Sequence, residues 1–163
     1  MELKDALQTA ITGEVEGREL YRAAAEKTGD KKAKEIFTML ADEEQSHHDS
    51  LVQMAKEYSE GKGISTPDLP APMSFEDAES PIFTREFKDK VADFDMTALS
   101  VGMKLELESE NFYREAAGDA GDKAVKDLFN RLADWEKGHF ENLRKQVGFF
   151  KSYYENKYSF FRF

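Results

Sequence analysis

Two pairs of residues with the spacing of one helical turn carry the chemistry of this chain: Glu44 with His47, and Glu136 with His139. A spacing of three puts both side chains on one face of a helix, so a carboxylate and an imidazole can meet one cation from one helix. A further glutamate precedes each pair, Glu14 before the first and Glu106 before the second. Carboxylate and imidazole donors without sulfur suit iron or manganese, with zinc also compatible. The chain has no cysteine, which removes disulfides, thiol catalysis, iron–sulfur clusters and zinc–thiolate sites. A lone Glu-x-x-His is weak, because any charged helix produces it by chance. Its weight here comes from the elements that must hold it.

Those elements are duplicated. Residues 14–54 lie over residues 106–146 without a gap, and seventeen of the 41 aligned positions are identical. Glu14/Glu106, Tyr21/Tyr113, Gly29/Gly121, Asp30/Asp122, Asp42/Asp134, Glu44/Glu136 and His47/His139 are among them. Each copy reads as a helical hairpin. Thr28-Gly29-Asp30 breaks the first helix-forming run: Gly29 suits a left-handed C-terminal position and Asp30 can cap the next helix. Ala120-Gly121-Asp122 repeats the device. Helices are predicted near 3–28, 31–60, 94–118 and 122–147, with short connections that force antiparallel neighbours.

Between the copies, residues 61–93 hold all four prolines and little helical periodicity except near Phe83–Val91. A bundle helix of about 28 residues is ~42 Å long, and some thirty extended residues reach ~100 Å. The segment can therefore run the length of the bundle as a long crossover between helices 2 and 3. It can equally hand its hairpin to a second protomer. The predicted fold is all-α: a four-helix bundle over 1–147 built from two duplicated hairpins.

Helical spacing places Ala33, Phe37, Leu40, Glu44, His47, Leu51 and Met54 on one seam, and Val125, Phe129, Leu132, Glu136, His139, Leu143 and Gln146 on another. The first helix aligns Leu7, Ile11, Glu14, Tyr21 and Ala25; the third aligns Leu99, Met103, Glu106, Tyr113 and Ala117. Every helix thus carries a glutamate in the middle of its apolar seam. An unpaired buried carboxylate costs several kcal/mol, and no lysine or arginine occupies a matching position. Two divalent cations would set four positive charges against four negative ones and leave both imidazoles neutral. The expected ligands are Glu14, Glu44, His47, Glu106, Glu136 and His139. Tyr21 and Tyr113 read either as core tyrosines or as supports for those ligands. Asp42 and Asp134 read as repeated surface acids or as groups that orient a ligand histidine, and His48 reads as solvated.

The chain has 163 residues, 40 % hydrophobic and 34 % charged, with a net charge of −10. That length suits one domain. Its charge argues against nucleic acid and anionic membrane partners. No run can span a bilayer, and Met-Glu-Leu-Lys-Asp lacks the character of a signal peptide, so the expected location is cytoplasmic.

The sequence resembles the rubrerythrin-type family of the ferritin-like di-iron carboxylate superfamily, through EVEGRELY with ELESENFY and LADEEQSH with LADWEKGH. The likeness covers about 3–147. It implies two iron ions as cofactor, Glu44 and Glu136 as bridging ligands, Glu14 and Glu106 as terminal ligands, and one histidine on each metal. Two departures stand out. The cysteine-ligated iron module of rubrerythrins proper has no counterpart here, and Ser109 occupies the place of their additional glutamate one turn after Glu106, with Glu110 a residue farther on. The symmetrical set is closer to bacterioferritin-type ferroxidase centres.

The resemblance implies a di-iron oxidoreductase in which Fe(II) meets H2O2 or O2, as a peroxide-detoxifying peroxidase or a ferroxidase. Peroxide turnover would draw on an external electron donor. The alternatives are iron storage or handling in a larger assembly, and a non-catalytic bundle whose metals only neutralise the core. The aromatic tail at 148–163, GFFKSYYENKYSFFRF, would be an exposed apolar patch if left in water. It is expected to pack on its own bundle or on a sister subunit, consistent with a homo-oligomer such as a dimer, or to dock a partner.

Overall fold

The computed structural model describes residues 2–62 and 93–159. Over these residues the chain is all-α, with four helices: α1 Leu3–Lys27, α2 Lys31–Ser59, α3 Asp93–Asp119 and α4 Lys123–Ser159. The predicted crossover at about 61–93 lies almost wholly outside the described residues, as does the periodic stretch near Phe83–Val91.

The hairpin connections follow the expected caps with one difference. Asp30 accepts a hydrogen bond from the Ala33 N–H at 2.9 Å, and Asp122 accepts from the N–H groups of Ala124 and Val125. Each cap satisfies donors that the first turn leaves without a partner. The left-handed turn expected at Gly29 does not occur there; among the described residues the glycine with positive φ is Gly61, at 65°. Thr28 has already left the helix in an extended conformation (φ −67°, ψ 137°), so the chain needs no left-handed residue after it.

The fourth helix also runs farther than expected, continuing from the repeat through Ser159. Gly148 is its obvious weak point, but one interior glycine costs only about 1 kcal/mol. No proline follows to stop the helix.

The helices pack as two antiparallel hairpins, α1 with α2 and α3 with α4, joined across α1 and α3. Tyr21 lies beside Gly102 and reaches Glu106, while Glu14 meets Tyr113, so α1 and α3 are antiparallel. The C-terminal end of α2 and the N-terminal end of α3 consequently lie at opposite ends of the bundle.

Two apolar clusters fill those ends. One joins Leu7, Leu51, Met54, Tyr113, Leu128 and Phe129; the other joins Tyr21, Phe37, Leu40, Leu99 and Leu143. Every seam residue named from the sequence is buried except Ile11 and Met103, which are half-buried. Between the clusters sits a charged layer, and the helices on either side are locked by the apolar packing. Burial of each large side chain stabilises the fold by about 1.5–3 kcal/mol, which holds the middle layer in place despite its own cost.

Candidate metal centre

All six residues expected from the sequence meet in that middle layer. Glu14, Glu44, His47 and Glu136 bring ligand atoms within 4.8 Å of one another, and so do Glu44, Glu106, Glu136 and His139. The two groups share Glu44 and Glu136. Every member is buried. The Nδ1 atoms of the histidines face the carboxylates: that of His47 is 3.3 Å from both Glu14 and Glu136, and that of His139 is 3.4 Å from both Glu44 and Glu106.

The cluster is electrically incomplete. No lysine or arginine is buried with it among the described residues. Four of its atoms, Glu44 Oε1, Glu136 Oε1, His47 Nε2 and His139 Nδ1, are buried without a hydrogen-bonding partner. Orphaned polar atoms of this kind are rare in a packed interior. Without cations the site relieves itself with protons. Burial, together with the charge of Glu44, pushes Glu14 up to about 8. Burial with the charges of Glu44 and Glu106 holds Glu136 well above the usual carboxylate range. Burial opposes the charged form of both histidines, yet the carboxylates outweigh it: Glu14 chiefly raises His47 and Glu106 chiefly raises His139. Burial also works to raise Glu44, but the imidazoles of His139 and His47 facing it hold it below the usual range. Two divalent cations placed in the two groups would meet the orphaned oxygens and displace these protons. The donor set fits.

The chain belongs to the rubrerythrin family. The family model, described as rubrerythrin, matches residues 5–147. A solved structure described as a hypothetical protein from Pyrococcus furiosus is similar over 94 % of this chain and 92 % of its own, with 25 % identity and a TM-score of 0.67. Comparison with curated proteins gives no match.

In this member of the rubrerythrin family the cluster is held by residues from both hairpins. Tyr21 and Tyr113 are both buried core side chains and direct supports: the Tyr21 hydroxyl donates to Glu106 and the Tyr113 hydroxyl donates to Glu14. Burial and the accepting glutamate push both phenols well above their ordinary range, so they remain donors. Asp42 is exposed, and Asp134 is exposed and pairs with Arg114 at 2.6 Å, so both are surface acids. Glu110 also faces Arg114, at 3.8 Å. His48 lies half-buried against Asp49.

The carboxylate that reaches a cluster histidine from behind, at the nitrogen facing away from the other four, is Glu43, one residue beyond Asp42. It is 5 % exposed, and its Oε2 lies 2.6 Å from His139 Nε2. At the equivalent place in the second repeat stands Trp135, whose ring meets that of His47 edge-on at 4.8 Å. Seam periodicity passed over both because they sit just off it. The signal was the one unlike pair inside the LAD-x-E frame, Glu43 against Trp135.

A cleft of about 190 Å³ between α1 and α3 runs from the exposed Glu16 and Glu108 down to Glu44 and Glu136. Gly17 and Ser109, equivalent residues of the two repeats, line it. A Cβ at Gly17 would lie 3.5 Å from the Glu44 carboxyl carbon, so the small residue leaves the space above the shared carboxylates open.

No described helix is long and apolar enough to cross a membrane.

Proposed function

We propose that the chain is a di-iron oxidoreductase that oxidises Fe(II) with H2O2 or O2 at the Glu14, Glu44, His47, Glu106, Glu136, His139 cluster. The observation that carries this reading is the sharing of Glu44 and Glu136 between two four-residue groups. When bound, a ferrous pair supplies two electrons, one from each ion, enough to reduce one H2O2 with two protons to two waters or one O2 to H2O2.

The residues of the chain do the rest by placement. Glu44 and Glu136 would lie between the two ions, with Glu14 and Glu106 at the outer ends. Tyr113 and Tyr21 fix those outer carboxylates from the opposite hairpin. The apolar clusters on either side bury the layer, which strengthens its electrostatics. The cleft at Gly17 and Ser109 admits a molecule the size of peroxide or dioxygen. An external reductant would close a peroxidase cycle, whereas a ferroxidase would need only fresh Fe(II).

The test is anaerobic titration of the metal-free protein with Fe(II), then rapid mixing with H2O2 or O2 while the near-ultraviolet absorption of the ferric pair is followed. Two equivalents per chain and fast oxidation are expected, and the faster oxidant separates peroxidase from ferroxidase character. Iron that fails to bind, or that binds and stays ferrous, would sink the reading.

A further inference from the structure

The two halves of the site are related by the repeat, yet their histidines are held differently. His139 turns Nδ1 toward Glu44 and Glu106 and Nε2 toward Glu43, 2.6 Å away. Glu43 is placed to accept from the Nε2–H group, and once the ring is neutral this favours the tautomer that leaves the Nδ1 lone pair facing the cluster. His47 turns Nδ1 toward Glu14 and Glu136 in the same way, but its Nε2 meets no hydrogen-bonding partner among the described residues. Trp135 occupies the place from which a carboxylate would reach it, with ring centroids 4.8 Å apart and planes at 86°. An aromatic edge neither orients the tautomer nor adds negative charge.

A carboxylate behind a metal-binding imidazole makes it a stronger donor and a better-oriented one, and losing it typically costs about 10–100-fold in metal affinity. We propose that Glu43 makes the Glu44, Glu106, Glu136, His139 half the tight position that fills first, and that Trp135 leaves the Glu14, Glu44, His47, Glu136 half weaker and exchangeable. This rests on the two-metal reading of the site but not on its redox chemistry. Glu43 acts as a positioning residue, through His139. The consequence is an ordered site: a resident ion on the His139 side, and a second position from which an ion can come and go beside Trp135.

Cobalt(II) alone tests this without turnover. Crystals of the metal-free protein, soaked anaerobically with one equivalent of Co(II), should show anomalous density several-fold stronger on the His139 side. Glu43→Gln keeps the size of the side chain and a hydrogen-bond acceptor but removes the charge. It should lower the first stepwise Co(II) constant by about 10–100-fold and even out the two occupancies. Trp135→Glu should raise occupancy beside His47. Trp135→Phe, which restores no carboxylate, should leave the wild-type ratio unchanged. Equal or reversed occupancy in the wild type, or a ratio that Glu43→Gln leaves unmoved, would overturn the proposal. If Trp135→Glu does not fold, the Glu43→Gln ratio still decides. Failure to bind any cobalt would sink the two-metal reading with it, whereas two equally filled positions would overturn the inequality alone.

Discussion

The hydroxyl of Tyr113 in α3 donates a hydrogen bond to the carboxylate of Glu14 in α1, tying together two residues 99 positions apart. The bond crosses from one repeat to the other, and Tyr21 returns it to Glu106. The two hairpins are thus stitched through their own candidate ligands. Tyr113→Phe should cost about 1–3 kcal/mol in urea unfolding of the metal-free protein, because it leaves a buried carboxylate oxygen without its donor. It should also weaken binding of the ion that Glu14 would hold more than that of the other. A variant as stable as wild type would show that the bond contributes nothing to joining the hairpins.

The metal-free protein should lose stability as pH rises. Glu14 keeps its proton in the fold up to about 8, against an ordinary 4.5. A folded pKa above the unfolded one stabilises fully below the unfolded value, and that contribution is lost as pH climbs through the folded value. Glu136, His47 and His139 are raised as well and act in the same direction. Glu44 is lowered and works the other way, but its loss falls on the acid side of 4.5. Between about pH 5 and 9 the melting temperature measured with a chelator should therefore fall. With Mn(II) or Zn(II) bound it should rise over the same span until the ligands are fully deprotonated, because each ion must displace protons. A chelated protein whose melting temperature is flat or rising would contradict the charge balance described above.

Gly17 tests the cleft. Leucine there should occupy the space above Glu44 with no penalty in helix propensity, since leucine exceeds glycine by nearly 1 kcal/mol in a helix. The first carbon of its side chain would make an ordinary contact, 3.5 Å from the Glu44 carboxyl carbon. Gly17→Leu should still bind two Co(II) ions at equilibrium. Oxidation of bound Fe(II) in stopped flow should slow by about tenfold, equivalent to ~1.4 kcal/mol of added barrier. Unchanged oxidation would mean that the oxidant reaches the cluster by another path.

The seams of α1 to α4 were legible because burial forces a period near 3.6, and a glutamate inside an apolar seam is conspicuous against it. The six clustered residues followed from that single anomaly, seen four times. What escaped has physical reasons. The turn at Thr28-Gly29-Asp30 was located, but the sequence does not say which residue absorbs the change of direction, and Thr28 did so without a left-handed glycine. The length of α4 past 147 depends on whether Gly148 outweighs the helix around it, a contest of about 1 kcal/mol. Asp42 drew notice by its repetition in Asp134, yet both face water. Glu43 carries the contact to His139, and it is the position where the repeats differ. Repetition marks what the two halves share, and so hides what makes them unequal.

Glu44 and Glu14 should differ in how many ions each one costs. Glu44 belongs to both ligand groups, whereas Glu14 belongs to one. Replacement by glutamine keeps the volume and one oxygen acceptor, so the bundle should fold in either variant. Glu14→Gln should retain one Co(II) equivalent near its wild-type affinity and weaken the other by at least the roughly 10–100-fold that loss of a mere supporting partner costs. Glu44→Gln removes a negative charge from between the two positions, where it would screen the ions from each other. At 4 Å two unit charges interact by about 4 kcal/mol at an effective dielectric of 20, so this screening is large on the scale of binding. Both equivalents should therefore weaken together, the second beyond detection in a calorimetric titration. If Glu44→Gln instead spares one ion as fully as Glu14→Gln does, Glu44 is not shared, and the centre is two separate sites rather than a bridged pair.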